Sequence, residues 1–103
     1  MALSLQVAYP TTDGTTFDFD YYMNTHMPLV GEHMGATMAS AMVAKGLGGP
    51  APGAPSPFYA IATMTFEDQA AMDAAMAKAG PVIADIPNFT DTQPMIMVGE
   101  VAG

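Results

Sequence analysis

The sequence of 103 residues has no cysteine, and it has only two Lys+Arg against ten Asp+Glu. Without thiols there is no disulfide, no thiolate nucleophile and no Cys-ligated zinc or iron–sulfur centre. A formal net charge of −8 at pH 7 repels phosphate backbones and anionic lipid surfaces, which argues against nucleic acid and membranes as partners and favours neutral or apolar ligands. No apolar run approaches the roughly eighteen residues of a membrane span, and the stretch Met1 to Gln6 lacks the basic and apolar regions of a secretion signal. A cytoplasmic location is therefore expected. Also missing are a glycine-rich loop between strand and helix that would cradle a phosphate, a Ser/His/Asp order, and carboxylates at metal-ligand spacing. No metal or organic cofactor is expected.

Half of the residues are apolar, enough at this length to bury one core but not two, so residues 1–103 are expected to form one domain. Leu3, Leu5, Val7 and Tyr9 alternate with smaller or polar residues until Pro10 and a turn-rich segment, predicting a first strand over 2–9. From Asp18 the spacing changes to threes and fours through Phe19, Tyr22, Met23, His26, Val30 and His33. This predicts a helix over 18–34, with Asp18 as N-cap and Asp20 in its first turn. Pro28 lies inside it and cannot donate to the Asn24 carbonyl, so a kink or local irregularity is expected near His26.

Residues 36–45 fit a second strand or a continuation of helix, and the strand is preferred. Gly46 to Pro57 holds four Gly and four Pro in twelve residues and reads as a surface loop, expected to shape the mouth of any pocket. Phe58 to Phe66 reads as a third strand. Thr65 with Asp68 suggests a capping box for a second helix carrying Met72, Ala75, Met76 and Ala79 and closed by Gly80-Pro81, with a short helical turn over 81–87. Met95 to Val101 reads as a fourth strand.

The order β-α-β-β-α-β packs most simply as a four-stranded antiparallel sheet with both helices on one face, an α+β ferredoxin-like fold. Both pleat faces of the last two strands look apolar. Phe58, Met64 and Phe66 oppose Tyr59 and Ile61, while Met95, Met97 and Val101 oppose Ile96 and Val98. An antiparallel sheet open to water is normally polar on one side, so a homodimer that covers the second face is expected.

His26 and Tyr22, four apart on the apolar stripe, are both expected to point towards the sheet. A buried imidazole beside a phenol fits a general base with an oxyanion donor. It fits equally a packed histidine bonded to Tyr22, to Asp91 or to a carbonyl freed by Pro28. Glu100, in the last apolar strand, either orients His26 or is solvated near the chain end. The eleven Met, including Met23, Met27, Met34, Met38 and Met42 near His26 and His33, raise a soft-metal carrier as a third reading. Methionine more often fills irregular core space.

The segment Phe17-Asp18-Phe19-Asp20-Tyr21-Tyr22-Met23-Asn24-Thr25-His26-Met27-Pro28-Leu29-Val30 resembles the EthD family of the dimeric α/β-barrel superfamily. Its Tyr-Tyr followed by His-x-Pro-Leu falls on Tyr21, Tyr22, His26, Pro28 and Leu29, and Ala84 to Asp91 with Gly99-Glu100-Val101 resembles the family's C-terminal pattern. The resemblance implies a ferredoxin-like subunit paired with its twin into a dimeric α/β barrel, with a pocket between sheet and helices. The family takes its name from a protein encoded with an ether-degrading monooxygenase system. Relatives in the superfamily include cofactor-independent monooxygenases, isomerases and cyclases. By that analogy a small carbonyl or aromatic compound would give up a proton to His26, Tyr22 would hold the enolate oxygen, and Asp91 or Glu100 would orient the imidazole. The rival is a non-catalytic protein that binds a hydrophobic ligand or assists an oxygenase.

Overall fold

The computed structural model describes residues 2–103. Four strands, β1 (Leu3–Pro10), β2 (Ser40–Lys45), β3 (Phe58–Phe66) and β4 (Met95–Glu100), form one sheet in the order β2-β3-β1-β4, with every neighbouring pair antiparallel. The helical chain between β1 and β2 comprises α1 (Phe19–Tyr21), a π-turn (Tyr22–His26), α2 (Met27–Met34) and a 3₁₀ turn (Gly35–Thr37). Between β3 and β4 come α3 (Gln69–Met76), α4 (Gly80–Asp85) and a 3₁₀ turn (Ile86–Asn88). This is the expected α+β, ferredoxin-like arrangement.

Alternation along the strands sets the two faces. Leu3, Leu5, Val7 and Tyr9 stand opposite Phe66, Met64, Ala62 and Ala60, and this side of the sheet carries the helices. Val30 and Met34 of α2, Met72 and Ala75 of α3, and Ala79 with Val82 close a core over Leu5, Ala62, Met64 and Phe66. Phe66 is fully buried at its centre. At the other end of the same face Tyr9, Tyr22, Ala60 and Phe89 form a second, largely aromatic cluster.

Two of the helices, α1 and α3, start where an aspartate side chain satisfies a free amide. Asp18 Oδ1 accepts from Tyr21 N at 3.0 Å, and Asp68 Oδ1 accepts from Ala71 N at 2.9 Å. The expected capping box does not form, because Thr65 stays in β3 and bonds Ser40 across the sheet, leaving Asp68 as the cap. The second strand is shorter than expected, beginning at Ser40 after the 3₁₀ turn.

The open face is more mixed than the last two strands suggested. Gln6 and Thr63 face each other at its centre, with Gln6 Nε2 donating to Thr63 Oγ1 at 3.2 Å. Ile61, Met42, Met95 and Met97 flank this pair. A register shift between Tyr9 and Pro10 takes Tyr59 out of the alternation and stacks it on Phe17, with ring centroids 5.3 Å apart. The loop 46–57 begins hard against β3: Gly46 N donates to the Tyr59 carbonyl, and a Cβ at Gly46 would collide with the Phe58 carbonyl oxygen. It lies at the Lys45–Phe58 end of the sheet and does not border the cavity described next, contrary to the expected role at its mouth.

Candidate functional site

Pro28 shapes the site through the hydrogen bond it cannot make. With no N–H for the Asn24 carbonyl, the chain widens into a π-turn, and Met27 N donates to the Tyr22 carbonyl five residues back. The helical path continues through the irregularity. A wider turn also brings residues four apart almost into line, so the Tyr22 and His26 rings stack, 5.5 Å apart and 17° from parallel. Both are buried. Phe89 leans on His26 with ring centroids 4.5 Å apart, and Tyr9 meets Tyr22 edge-on.

The polar side of His26 is occupied by a carboxylate. His26 Nδ1 lies 3.0 Å from Asp85 Oδ2, at the C-terminal end of α4. Asp85 Oδ1 accepts from Tyr21 Oη at 2.7 Å and from Asn88 Nδ2 at 2.9 Å. Partial burial pushes the Asp85 carboxyl up, but the bonds from Asn88, Tyr21 and His26 outweigh it and hold the group below its ordinary 3.8. The Tyr21 phenol is raised in turn, first by donating to Asp85 and then by desolvation.

His26 also borders a cavity of about 80 Å³, bounded by the helix side of the sheet and by α2, α3 and α4. Its wall is aliphatic apart from Tyr9, Tyr22, His26 and the methionine thioethers. Tyr22 Oη is buried with no hydrogen-bond partner among the described residues. Such an orphan is uncommon and costly, on the order of 1–3 kcal/mol. Burial pushes the Tyr22 phenol up to about 12, and it raises the Tyr9 phenol further, with the neighbouring Tyr22 adding to the effect. Both therefore remain protonated donors at neutral pH. At the rim, Met76, Ile83 and Ile96 are exposed.

The structure thus brings His26 and Tyr22 together and leaves the other two candidates apart. Asp91 Oδ1 accepts from Thr16 N at 2.8 Å, tying down the segment before α1. Glu100 is exposed at the end of β4. The carboxylate on the imidazole is Asp85, which the sequence reading passed over, as it passed over the phenol of Tyr9. Tyr22 stacks on His26 and makes no hydrogen bond to it. Of the methionines, Met34, Met64 and Met72 belong to the aliphatic core and Met42 is exposed on β2, while Met27, Met34, Met64 and Met76 share the cavity wall with His26.

The family model for the EthD domain matches residues 11–93, which include Tyr21, Tyr22, His26, Asp85, Asn88 and Phe89. The chain belongs to the EthD family. Among solved structures, an EthD-like protein from Ralstonia eutropha is 37% identical, with a TM-score of 0.89 over 99% of this chain and 93% of that one. An ethyl tert-butyl ether D (EthD) family protein from Bacillus halodurans is 24% identical, with a TM-score of 0.74 over 97% of this chain and 98% of that one. The fold alone is shared with SnoaB, a cofactor-independent oxygenase from Streptomyces nogalater, at 8% identity and a TM-score of 0.61 over 99% and 93% of the two chains. No curated protein sequence matches.

Proposed function

We propose that this EthD family protein binds a small, neutral and largely apolar carbonyl or aromatic compound in the cavity and transfers a proton through His26, as a cofactor-independent isomerase, cyclase or monooxygenase-type enzyme does. The observation that carries the reading is the orphaned hydroxyl of Tyr22, a residue that lines an apolar cavity and whose ring stacks on an imidazole tied through Nδ1 to Asp85. A ligand oxygen at the cavity wall would give that hydroxyl the partner it lacks. In the step itself, His26 Nε2 takes the proton from the carbon next to the carbonyl, and the electron pair of that C–H bond moves onto the carbonyl oxygen. The oxygen then accepts a bond from Tyr22, which remains protonated. Returning the proton to another carbon gives isomerisation. Attack of the enolate carbon on a second carbonyl of the same molecule, whose π electrons move onto its oxygen and take up the proton from His26, gives ring closure. Dioxygen as co-substrate would oxidise the same enolate in oxygenation. SnoaB, which shares the fold, is described as a cofactor-independent oxygenase.

The test is hydrogen exchange. A panel of small neutral ketones in D₂O is expected to gain deuterium at the carbon beside the carbonyl in the presence of the protein. His26→Asn, still folded, is expected to lose this exchange by about 10²–10⁴-fold, the usual contribution of a general base. Ketones that bind without exchanging would overturn catalysis in favour of a ligand-binding or oxygenase-accessory protein.

We further propose that the protein is a homodimer in which a second copy covers the open sheet face. Met42, Met95 and Met97 on that face are 64%, 60% and 55% exposed, an apolar surface of the kind that marks a protein contact. Sedimentation at micromolar concentration is expected to show a dimer, and a stable monomer would contradict the proposal.

A further inference from the structure

Tyr21 and Tyr22 are adjacent in the chain, yet one serves the carboxylate bonded to the imidazole and the other the face of its ring. Tyr22 stacks on the ring and is one of the residues lining the cavity, whereas Tyr21 bonds to the carboxylate that the ring also contacts. Asp85 thereby has both oxygens engaged, Oδ2 by His26 and Oδ1 by Tyr21 and Asn88. An ionised carboxylate can only accept hydrogen bonds, so a neutral imidazole that bonds to it must carry its hydrogen on Nδ1. The lone pair is then on Nε2, which has no hydrogen-bond partner among the described residues and belongs to a ring that lines the cavity.

We infer that Asp85, braced by Tyr21 and Asn88, is a positioning residue that holds His26 in the Nδ1–H tautomer and so turns an unprotonated Nε2 towards the cavity. The inference rests on the proton-transfer reading for its purpose, but not for its geometry. Free histidine side chains favour the other tautomer, with hydrogen on Nε2, and in that form the atom facing the cavity is a donor unable to take a proton. Three donors on one carboxylate do two things. They keep it ionised, and they fix its plane so that Oδ2 stays on the Nδ1 side. The imidazolium formed when Nε2 takes a proton is then paired at once with the negative charge of Asp85, and no proton has to pass to Asp85 itself.

The arrangement explains why an acidic protein keeps a carboxylate beside its candidate base and no Lys or Arg in the cavity wall. A cation there would oppose the charge that forms on His26. It also limits the ligand. An anionic compound would meet Asp85 behind the ring and no compensating cation, so the site suits a neutral molecule that becomes an enolate only after its proton has moved to His26.

The chain has two histidines, His26 and His33, so its imidazole spectrum is simple. Long-range ¹H–¹⁵N correlation on labelled protein at about pH 8.5, some two units above an ordinary histidine, reads the tautomer of each directly. Wild type is expected to show His26 with hydrogen on Nδ1. Asp85→Asn is expected to reverse the major tautomer of His26 and leave His33 unchanged, since an amide donates to Nδ1 or releases the ring to its intrinsic preference. Asp85→Glu, which keeps a carboxylate, is expected to retain the wild-type tautomer at least in part. Ketone hydrogen exchange by Asp85→Asn should fall by about 10²–10⁴-fold, following the loss of the base. A wild-type His26 with hydrogen on Nε2, or a folded Asp85→Asn variant with the wild-type tautomer, would overturn the inference. If no ketone exchanges but the tautomers behave as stated, the positioning role stands and the proton-transfer reading falls.

Discussion

The helix side of the sheet carries two buried clusters made of different materials. Around Phe66 and Met64 the side chains are aliphatic or thioether, drawn from β1, β3, α2, α3 and α4, and they contain no oxygen or nitrogen that needs a partner. Around Tyr9, Tyr22 and Phe89 the side chains are mostly aromatic rings meeting edge-on or at a tilt, with hydroxyls among them and an imidazole pressed against them. The cavity opens along the boundary, lined by Leu5 and Met64 from one cluster and by Tyr9 and Tyr22 from the other. In the first cluster burial is itself the stabilising event. In the second, rigid rings hold polar atoms at fixed places while one hydroxyl is left unbonded, an arrangement that costs stability and suits ligand recognition.

The largest effect that separates the two clusters is expected from truncating the first. Phe66→Ala removes a ring with no solvent exposure from the centre of the aliphatic core. It should cost about 3–5 kcal/mol in chemical denaturation, because the lost transfer energy and the residual void add. Since Phe66 does not line the cavity, the His26 tautomer in whatever fraction remains folded should be that of wild type. A loss below about 1 kcal/mol, at the level of an ordinary surface change, would show that this cluster is not the seat of stability.

The division between the clusters was partly legible in the sequence. Period-two alternation and helical spacing gave four strands and two helical regions because one face of each element is buried, and this one-sided burial is what writes the pattern. Tyr22 and His26 stood out for the same reason, as polar residues on an apolar stripe, and Pro28 as a helix breaker within the same span. The form of the irregularity did not. That Pro28 is accommodated by a π-turn depends on packing against Phe89 and Tyr9, which arrive from distant parts of the chain. Asp85 is 59 residues from His26, and no local period links them. A signal was nevertheless present, since Asp85 is the one charged residue between Val82 and Pro87. The same argument had been applied to Glu100, where it failed because β4 is an edge strand with all its large side chains exposed, so a carboxylate there reaches water. Asp91 has a partner, but it is the Thr16 amide. An isolated carboxylate in an apolar segment marks a buried site only where that segment is covered on its inner side.

The smaller and sharper test of the comparison is Tyr22→Phe. In an ordinary core, removing a buried tyrosine hydroxyl breaks a hydrogen bond and destabilises the protein. Here Tyr22 Oη has no partner among the described residues, so the substitution removes an unpaired polar atom and keeps the ring that packs on Phe17, Phe89 and His26. The variant should therefore be more stable than wild type by about 1 kcal/mol at neutral pH. The advantage should grow in alkali. Folding raises the Tyr22 phenol from 10.0 to about 12, so the wild-type contribution from a neutral phenol is complete below pH 10 and is lost as pH rises through about 12. A phenylalanine cannot lose it, and removing the Tyr22 phenol also takes away its part in the upward shift of Tyr9, which works in the same direction. Ketone exchange should move the other way, falling by about 10²–10³-fold once the donor to the developing oxyanion is gone. Destabilisation by Tyr22→Phe would mean that the hydroxyl is paired in solution and the two clusters do the same work. A gain in stability with a loss of exchange would place the cost of the aromatic cluster where its function lies.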